Sequence, residues 1–412
     1  MNQPLRILLT SPGYKPAYRI GGPVSVVSSL AESLVRKGHL VTVFATNCNM
    51  AEDLDVPTDC PQVVDGVEVW YFRREEWLKR LFPGIPYLSQ SIGFLYSPAM
   101  KNALQRVAPS MDVIHAHVPF IYPTYAAAQA AQIHQKPFFY HQHNVFSSVY
   151  LNRRSLKKRL FIGMVERTAL MRATTLIALT NAEVESYRSL SPGSYCTVIP
   201  NGINVDQFCL SPLCPNILNI PESARVILFM ARLHPVKGVD KLIEAFFQIE
   251  KDTPDAVLVV AGPDEFGLEK KYKERVGAAG LRERILFPGM VAGQLKKDLL
   301  ARADLFCLPS SGEGFSMAVL EALASATSVM ISPGCYFPEV EVAGVGKVVE
   351  PRPEIMADAL LELLGDRGKL KQMGVNGRDF VARNYTWDII ADKHVEAYRE
   401  GICRFSQFQR RG

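Results

Sequence analysis

Short apolar segments alternate with helix-patterned stretches along almost the whole chain, and this alternation restricts the fold more than any other feature. In the first half the segments are 6–10, 40–45, 67–72, 112–115, 137–141, 175–178 and 197–199; in the second they are 226–230, 256–261, 285–287, 305–308 and 328–331. Regular strand–helix alternation is the pattern of doubly wound parallel sheets. One intervening helix is expected over 24–37, stopped by Gly38 just before the next strand. A chain of 412 residues exceeds what one ordinary core serves, so two domains are expected. Residues 206–224 hold Pro212, Pro215 and Pro221 with little periodicity and read as a linker. The expected fold class is therefore α/β: two Rossmann-like doubly wound domains, 1–205 and 225–386, facing a central cleft. The amphipathic C-terminal stretch, 387–412, is expected to pack back on the first domain.

Charge is divided unevenly. Residues 1–200 carry 20 Lys and Arg against 13 Asp and Glu, a net of +7; residues 201–412 carry 26 against 28, a net of −2. The halves are thus expected to meet different partners. No run of about 18 apolar residues suggests a membrane span, and the N-terminus reads as a strand rather than a signal peptide. The eight cysteines are scattered without a C-x-x-C pair, as in a reduced, cytoplasmic protein.

The most informative local pattern is Glu313 and Glu321 around Gly314-Phe315-Ser316-Met317, where an apolar strand gives way to a helix. Free amides at the positive end of a helix suit a diphosphate. The carboxylates would stand roughly 8–12 Å apart at about 1.5 Å rise per residue, a span that fits the hydroxyls at either end of a nucleotide sugar. After the first strand of the second half, Arg232 and Lys237 flank a turn that opens a helix at Val239. Two fixed cations there could neutralise a departing diphosphate, as Mg²⁺ does elsewhere. Gly21-Gly22-Pro23 precedes the first helix and either cradles a phosphate or makes a plain tight turn. It is not G-x-G-x-x-G, which argues against a nicotinamide enzyme.

His115-Ala116-His117 and His141-Gln142-His143 each close a strand, and period-2 alternation turns both members of a pair to one face. Three readings stand: a zinc site, a polar cleft wall with one or two substrate-contacting histidines, or packed structural histidines. Arg153, Arg154, Lys157, Lys158 and Arg159 precede Leu160, Phe161, Met164 and Val165, which suits either an anionic membrane surface or an ordinary charged helix face. Asp53-Leu54-Asp55 is formally D-x-D, but it reads as a loop without a strand to aim both carboxylates at a metal.

Together these segments resemble the retaining GT-B glycosyltransferases of family 4 over nearly the whole length. The matching stretches are Gly21-Gly22 with its helix to Lys37-Gly38-His39, residues 112–117, Val198-Ile199-Pro200-Asn201-Gly202-Ile203-Asn204, Arg232 to Gly238, Ala261-Gly262-Pro263, and Glu313-Gly314-Phe315 through Glu321-Ala322. The resemblance implies that Glu313 binds donor-sugar hydroxyls and Glu321 the ribose. Arg232 and Lys237, with amides at Phe315 and Ser316, would hold the diphosphate. It places His117 against the donor sugar near the reaction centre and Gly21 and Gly22 near the diphosphate or acceptor. It implies a UDP- or GDP-linked sugar as co-substrate, no metal, and transfer with retention at the anomeric carbon. The acceptor would be a glycan or polyprenyl-diphosphate-linked hydroxyl in envelope or exopolysaccharide biosynthesis, and no nucleic acid. Location would be cytoplasmic and peripheral on the inner face of the plasma membrane. Ala326 and Ser328 stand where the family usually has Gly and Pro. The rival readings are a non-catalytic GT-B nucleotide- or sugar-binding protein, which should have lost Glu313, Arg232 or Lys237, and a nucleotide-sugar epimerase on the same fold.

Overall fold

The structure, a computed structural model, describes residues 3–75, 95–143, 166–208 and 217–410. The chain forms two compact units, Met1–Gly202 with Trp387–Gly412, and Ile203–Thr386.

In the first unit the strands are β1 (Arg6–Ser11), β2 (Leu40–Thr46), β3 (Cys48–Asn49), β4 (Glu52–Asp53), β5 (Pro61–Val64), β6 (Val67–Phe72), β7 (Val113–His117), β8 (Phe138–His141), β9 (Thr175–Ala178) and β10 (Cys196–Val198). Among the described residues, eight of them make one sheet in the order β10-β9-β8-β7-β1-β2-β6-β5. Only β5 runs antiparallel to its neighbour in that sheet, while β3 and β4 form a separate hairpin. Pleating divides the apolar residues between two faces. Leu8, Phe44, Ile114 and Tyr140 turn to a core shared with Tyr122, Ala126 and Met100. Ile7, Leu9, Val43 and Phe139 turn to one shared with Val27, Leu30, Ile390 and Tyr398. The 23-residue C-terminal helix Trp387–Gln409 thus completes the second core. At Gly401 a β-carbon would stand 2.4 Å from the Phe139 ring, and at Gly202 one would stand 2.7 Å from the Trp387 indole.

The second unit holds β11 (Arg225–Met230), β12 (Ala256–Ala261), β13 (Ile285–Gly289), β14 (Leu305–Leu308), β15 (Ser328–Ile331) and β16 (Gly346–Val348). They form a parallel sheet in the order β13-β12-β11-β14-β15-β16. Every residue of β12, Ala-Val-Leu-Val-Val-Ala, is buried, as a strand covered by helices on both faces requires. The chain enters this unit at Ile203, whose N–H donates to the Tyr385 carbonyl at 2.8 Å. The described parts of 206–224 belong to the unit rather than standing free. The Arg302 guanidinium holds them by donating to the carbonyls of Pro221 and Ala224, each at 2.9 Å. Among the described residues no helix is long and apolar enough to cross a membrane.

Ala326 closes the helix Met317–Ala324 with φ +57°, the left-handed conformation that favours glycine after a helix. A β-carbon there costs about 1–2 kcal/mol, against about 0.4–1 kcal/mol for the greater freedom glycine gives the unfolded chain. Ala326→Gly is therefore expected to stabilise the unit by about 0.5–1 kcal/mol, read in a thermal melt as a rise of about 1–4 °C.

Candidate functional site

The second sheet reverses its strand order between β11 and β14. A doubly wound sheet leaves a crevice at the carboxyl ends of the strands flanking such a reversal, and the loops leaving these two strands carry the singled-out residues. Lys237 ends the short 3₁₀ turn Pro235–Lys237 after β11. Its Nζ donates to Glu313 Oε1, beyond β14, at 2.6 Å, with the side chains only 16% and 10% exposed. Sequence separation gives no hint of this pairing; the stitching of the two loops produces it. The Ser311 N–H donates to the Val236 carbonyl at 2.8 Å. Gly238, at φ +71°, lies so close to Pro309 that a β-carbon would stand 2.3 Å from its carbonyl oxygen. The Glu313 N–H donates to the Gly334 carbonyl at 2.9 Å, fixing the acid from its other side.

Arg232 is not drawn into this pair. Its guanidinium donates to Glu265 at 3.0 Å, and both side chains are about half exposed. Gly262 supports its loop: at φ +148° a β-carbon would stand 1.9 Å from the Ala231 carbonyl oxygen. Glu321 lies inside the helix Met317–Ala324 and pairs with Lys296 of the helix Gly293–Arg302 at 2.7 Å. Ser316 occupies the N-cap position without a side-chain capping bond, so among the described residues its hydroxyl leaves the amides of this turn open to an anion at the positive helix end. The Phe315 ring packs 5.0 Å from Phe337 and 5.7 Å from Tyr385, which anchors the turn. Burial, and then the Glu313 carboxylate, push the Cys335 thiol up to about 12, leaving it a packing group rather than a nucleophile.

In the first unit the corresponding reversal falls between β7 and β1. Gly21, at φ +97°, is the N-cap of the helix Gly22–Arg36. Among the described residues, nothing beyond the chain neighbours and the helix's own backbone lies within 4 Å of a β-carbon built at Gly21 or Gly22, so packing there demands neither glycine. β7 and β8 are neighbours in register, with His117 opposite His141, and the four imidazoles do converge. Of the three readings, an open polar wall does not describe three of these imidazoles: His115 and His117 are 0% exposed and His141 2%. His115 is covered by the C-terminal helix, whose Tyr398 hydroxyl meets His115 Nδ1 at 2.8 Å and whose His394 ring centre lies 5.8 Å from that of His115. His117 Nδ1 lies 3.0 Å from His143 Nε2. Burial first, then mutual repulsion, pushes His115, His117 and His141 well below the usual histidine value.

Asp53 lies in β4, not in a loop, and its carboxylate accepts from Arg74 Nε at 2.7 Å. Arg153, Arg154, Lys157, Lys158 and Arg159 lie outside the described residues. Sequence reasoning missed Glu265, Lys296, His394 and Tyr398. For the last two, an i, i+4 spacing on one amphipathic helix was the signal.

Residues 20–207 match the Glycosyltransferase Family 4 model, and residues 214–380 match Glycosyl transferases group 1. The chain is 27% identical over 395 residues to a phosphatidyl-myo-inositol mannosyltransferase of Mycobacterium leprae, covering 94% of this chain and 96% of that protein. Its fold is shared with the sucrose-phosphate synthase of Thermosynechococcus elongatus, with a TM-score of 0.70, 22% identity and coverage of 96% and 98%. It is also shared with Anabaena HepE in complex with UDP-glucose, with a TM-score of 0.70, 19% identity and coverage of 96% and 100%. The two family matches follow each other along the chain as the two sheets do, and the chain belongs to the GT-B glycosyltransferases.

Proposed function

We propose that the chain is a retaining glycosyltransferase that moves a sugar from a nucleotide diphosphate donor to a hydroxyl of a glycan or lipid-linked acceptor, without a catalytic metal. The observation that carries this reading is the nearly buried Lys237–Glu313 pair at the strand-order reversal of the second sheet. A lone carboxylate would repel an incoming diphosphate, and a lone lysine would be mobile. Paired, Lys237 is held ready to meet the phosphate charge that grows as the glycosidic bond breaks. Glu313 then remains to accept hydrogen bonds from sugar hydroxyls. The uncapped amides after Ser316 add partial positive charge, Arg232 a second cation, and Glu321 a carboxylate for the ribose. The family resemblance implies a donor-sugar contact for His117, whose ring is buried within the first unit.

The family resemblance implies front-face attack, with the acceptor oxygen approaching on the face the diphosphate leaves. The new C–O bond forms as the old one breaks, and the acceptor proton passes to the leaving diphosphate. The relative named a phosphatidyl-myo-inositol mannosyltransferase supports a lipid-linked acceptor, and the neighbour solved with UDP-glucose supports a nucleotide sugar. The test is calorimetric binding of UDP-, GDP-, ADP- and dTDP-sugars with EDTA present. One base and one sugar are expected to bind with micromolar to millimolar affinity; binding that requires Mg²⁺ or Mn²⁺ would overturn the metal-free reading.

A further inference from the structure

The loop that leaves β7 carries backbone strain at two residues that are not glycine. Val118 stands at φ +71° and Phe120 at φ +65°, a left-handed conformation that β-branched and bulky side chains rarely adopt. Such a conformation persists only where its surroundings over-determine it, and it collects at functional sites. Hydrogen bonds hold it in place here. The Val118 N–H donates to the His141 carbonyl at 2.9 Å, and the Thr124 hydroxyl meets the Val118 carbonyl at 2.6 Å. The Phe120 N–H donates to Glu166 Oε2 at 3.2 Å, across 46 positions of sequence. We propose that Glu166 is a positioning residue for sugar transfer: it holds the 118–121 loop, and through that loop both His117 and the Gly21-Gly22 turn.

The placement of Glu166 fits that task better than it fits packing. It occupies the N-cap position of the helix Arg167–Arg172 yet makes no capping bond there, where a carboxylate ordinarily accepts from its own helix. Its side chain instead crosses to the loop, and its other oxygen accepts from the Tyr140 hydroxyl on β8. The residue is 4% exposed, and burial raises its carboxyl to about 7, so the fold carries the ionised form at a cost. A charge kept where an apolar side chain would pack more stably marks a site of function rather than of core. The loop it holds reaches two places. Val118 and Ile121 share a small buried cluster with Cys48 and Leu95, and Ile20, the residue before Gly21, packs against it. On the other side the chain runs directly into His117, whose carbonyl also meets the Thr124 hydroxyl at 3.1 Å. A shift at Phe120 is therefore passed to the glycine turn through side chains and to the histidine through backbone. The inference rests on the transferase reading, which is what gives His117 and the two glycines their work.

The experiment compares the full chain with Glu166→Leu/Tyr140→Phe and with Glu166→Gln at pH 8. The reaction read is release of nucleoside diphosphate from whichever of the UDP-, GDP-, ADP- and dTDP-sugars binds, with water as acceptor. The double variant removes the buried carboxylate together with the hydroxyl bonded to it, so its melting temperature should stay within about 4 °C of the parent. Its kcat should fall about 10–100-fold, the usual loss for a small misplacement of a positioned group. The Kd for UDP or GDP alone, which the proposed function assigns to the second unit, should not change. Glu166→Gln keeps an acceptor for the Phe120 amide and should recover most of the turnover. A residue with a merely structural role would move melting temperature and turnover together. Parental turnover in the double variant overturns the inference and leaves the transferase reading standing. Failure of the parent itself to release diphosphate from any nucleotide sugar overturns that reading, and the inference with it. Should the double variant fail to fold, backbone hydrogen exchange of the parent decides. A protected Phe120 amide upholds the hold on the loop, and one that exchanges as freely as an unfolded chain overturns it.

Discussion

Lys237→Ala is expected to lower turnover with the best nucleotide sugar by about 10²–10³-fold, the usual loss when a donor to developing negative charge is removed. The same change leaves Glu313, 10% exposed, without its counter-ion. Breaking a buried pair from one side destabilises by about 3 kcal/mol or more, so activity and stability would both fall. A second variant separates the two effects. In Lys237→Ala/Glu313→Ala no unpaired charge remains, and the melting temperature should recover most of the way towards the parent. Turnover should stay as low as in the single variant or fall further. Initial transfer rates and thermal melts on the parent, both single variants and the double make the comparison. Full activity in either single variant would place the chemistry elsewhere. Recovery of activity with stability in the double would reduce the pair to a structural clamp. Arg232→Ala should cost less, since its guanidinium is about half exposed and already shared with Glu265.

Strand existence was legible because a parallel strand is buried on both faces and so reads as an unbroken apolar run; β11 and β12 are cases. What escaped were strands without that constraint. β5, Pro-Gln-Val-Val, is an edge strand with two exposed positions, and β16 is three residues long. The hairpin of β3 and β4 is two residues on each side. None of these buries enough to leave a pattern.

The candidate site divides along the same line. Glu313, Lys237 and the uncapped turn at Ser316 were visible because each sits next to a strand end. That Lys237 meets Glu313 while Arg232 turns to Glu265 depends on Gly238 and Gly262 pressing against neighbouring carbonyls, a three-dimensional fact without local signature. The histidines show the converse. Period-2 alternation correctly turned His115 and His117 to one side, where their ring centres stand 4.0 Å apart. His115 is covered by a helix roughly 280 positions away in sequence, and no pattern within the strand could foretell that.

That burial makes the protein sensitive to acid. His115, His117 and His141 are held well below the usual histidine value, His143 is lowered to about 3 and His394 to about 4, in each case first by burial. In the unfolded chain all five would titrate near 6.5. Between pH 6.5 and about 4 the unfolded state therefore binds up to five protons that the folded state refuses, and stability falls as pH falls. Glu166 opposes this. Buried against Tyr140 and the Phe120 amide, its carboxyl is raised to about 7, so from pH 4.5 to 7 the folded state holds one proton the unfolded state has lost. The balance lies with the histidines, so the folded state loses stability as pH falls through the range where they would titrate in the unfolded chain. Set against a total stability of about 5–15 kcal/mol, this predicts cooperative acid unfolding between pH 6 and 5. The carboxylates held low by ion pairs, such as Asp112 and Asp255, begin to be lost only below that range. Urea melts at pH 7.5, 6.5 and 5.5 measure the slope, and His394→Gln should reduce it. Stability unchanged from pH 7 to 5 would mean that the imidazoles ionise inside the folded chain, and the first unit would then have to open around them without unfolding.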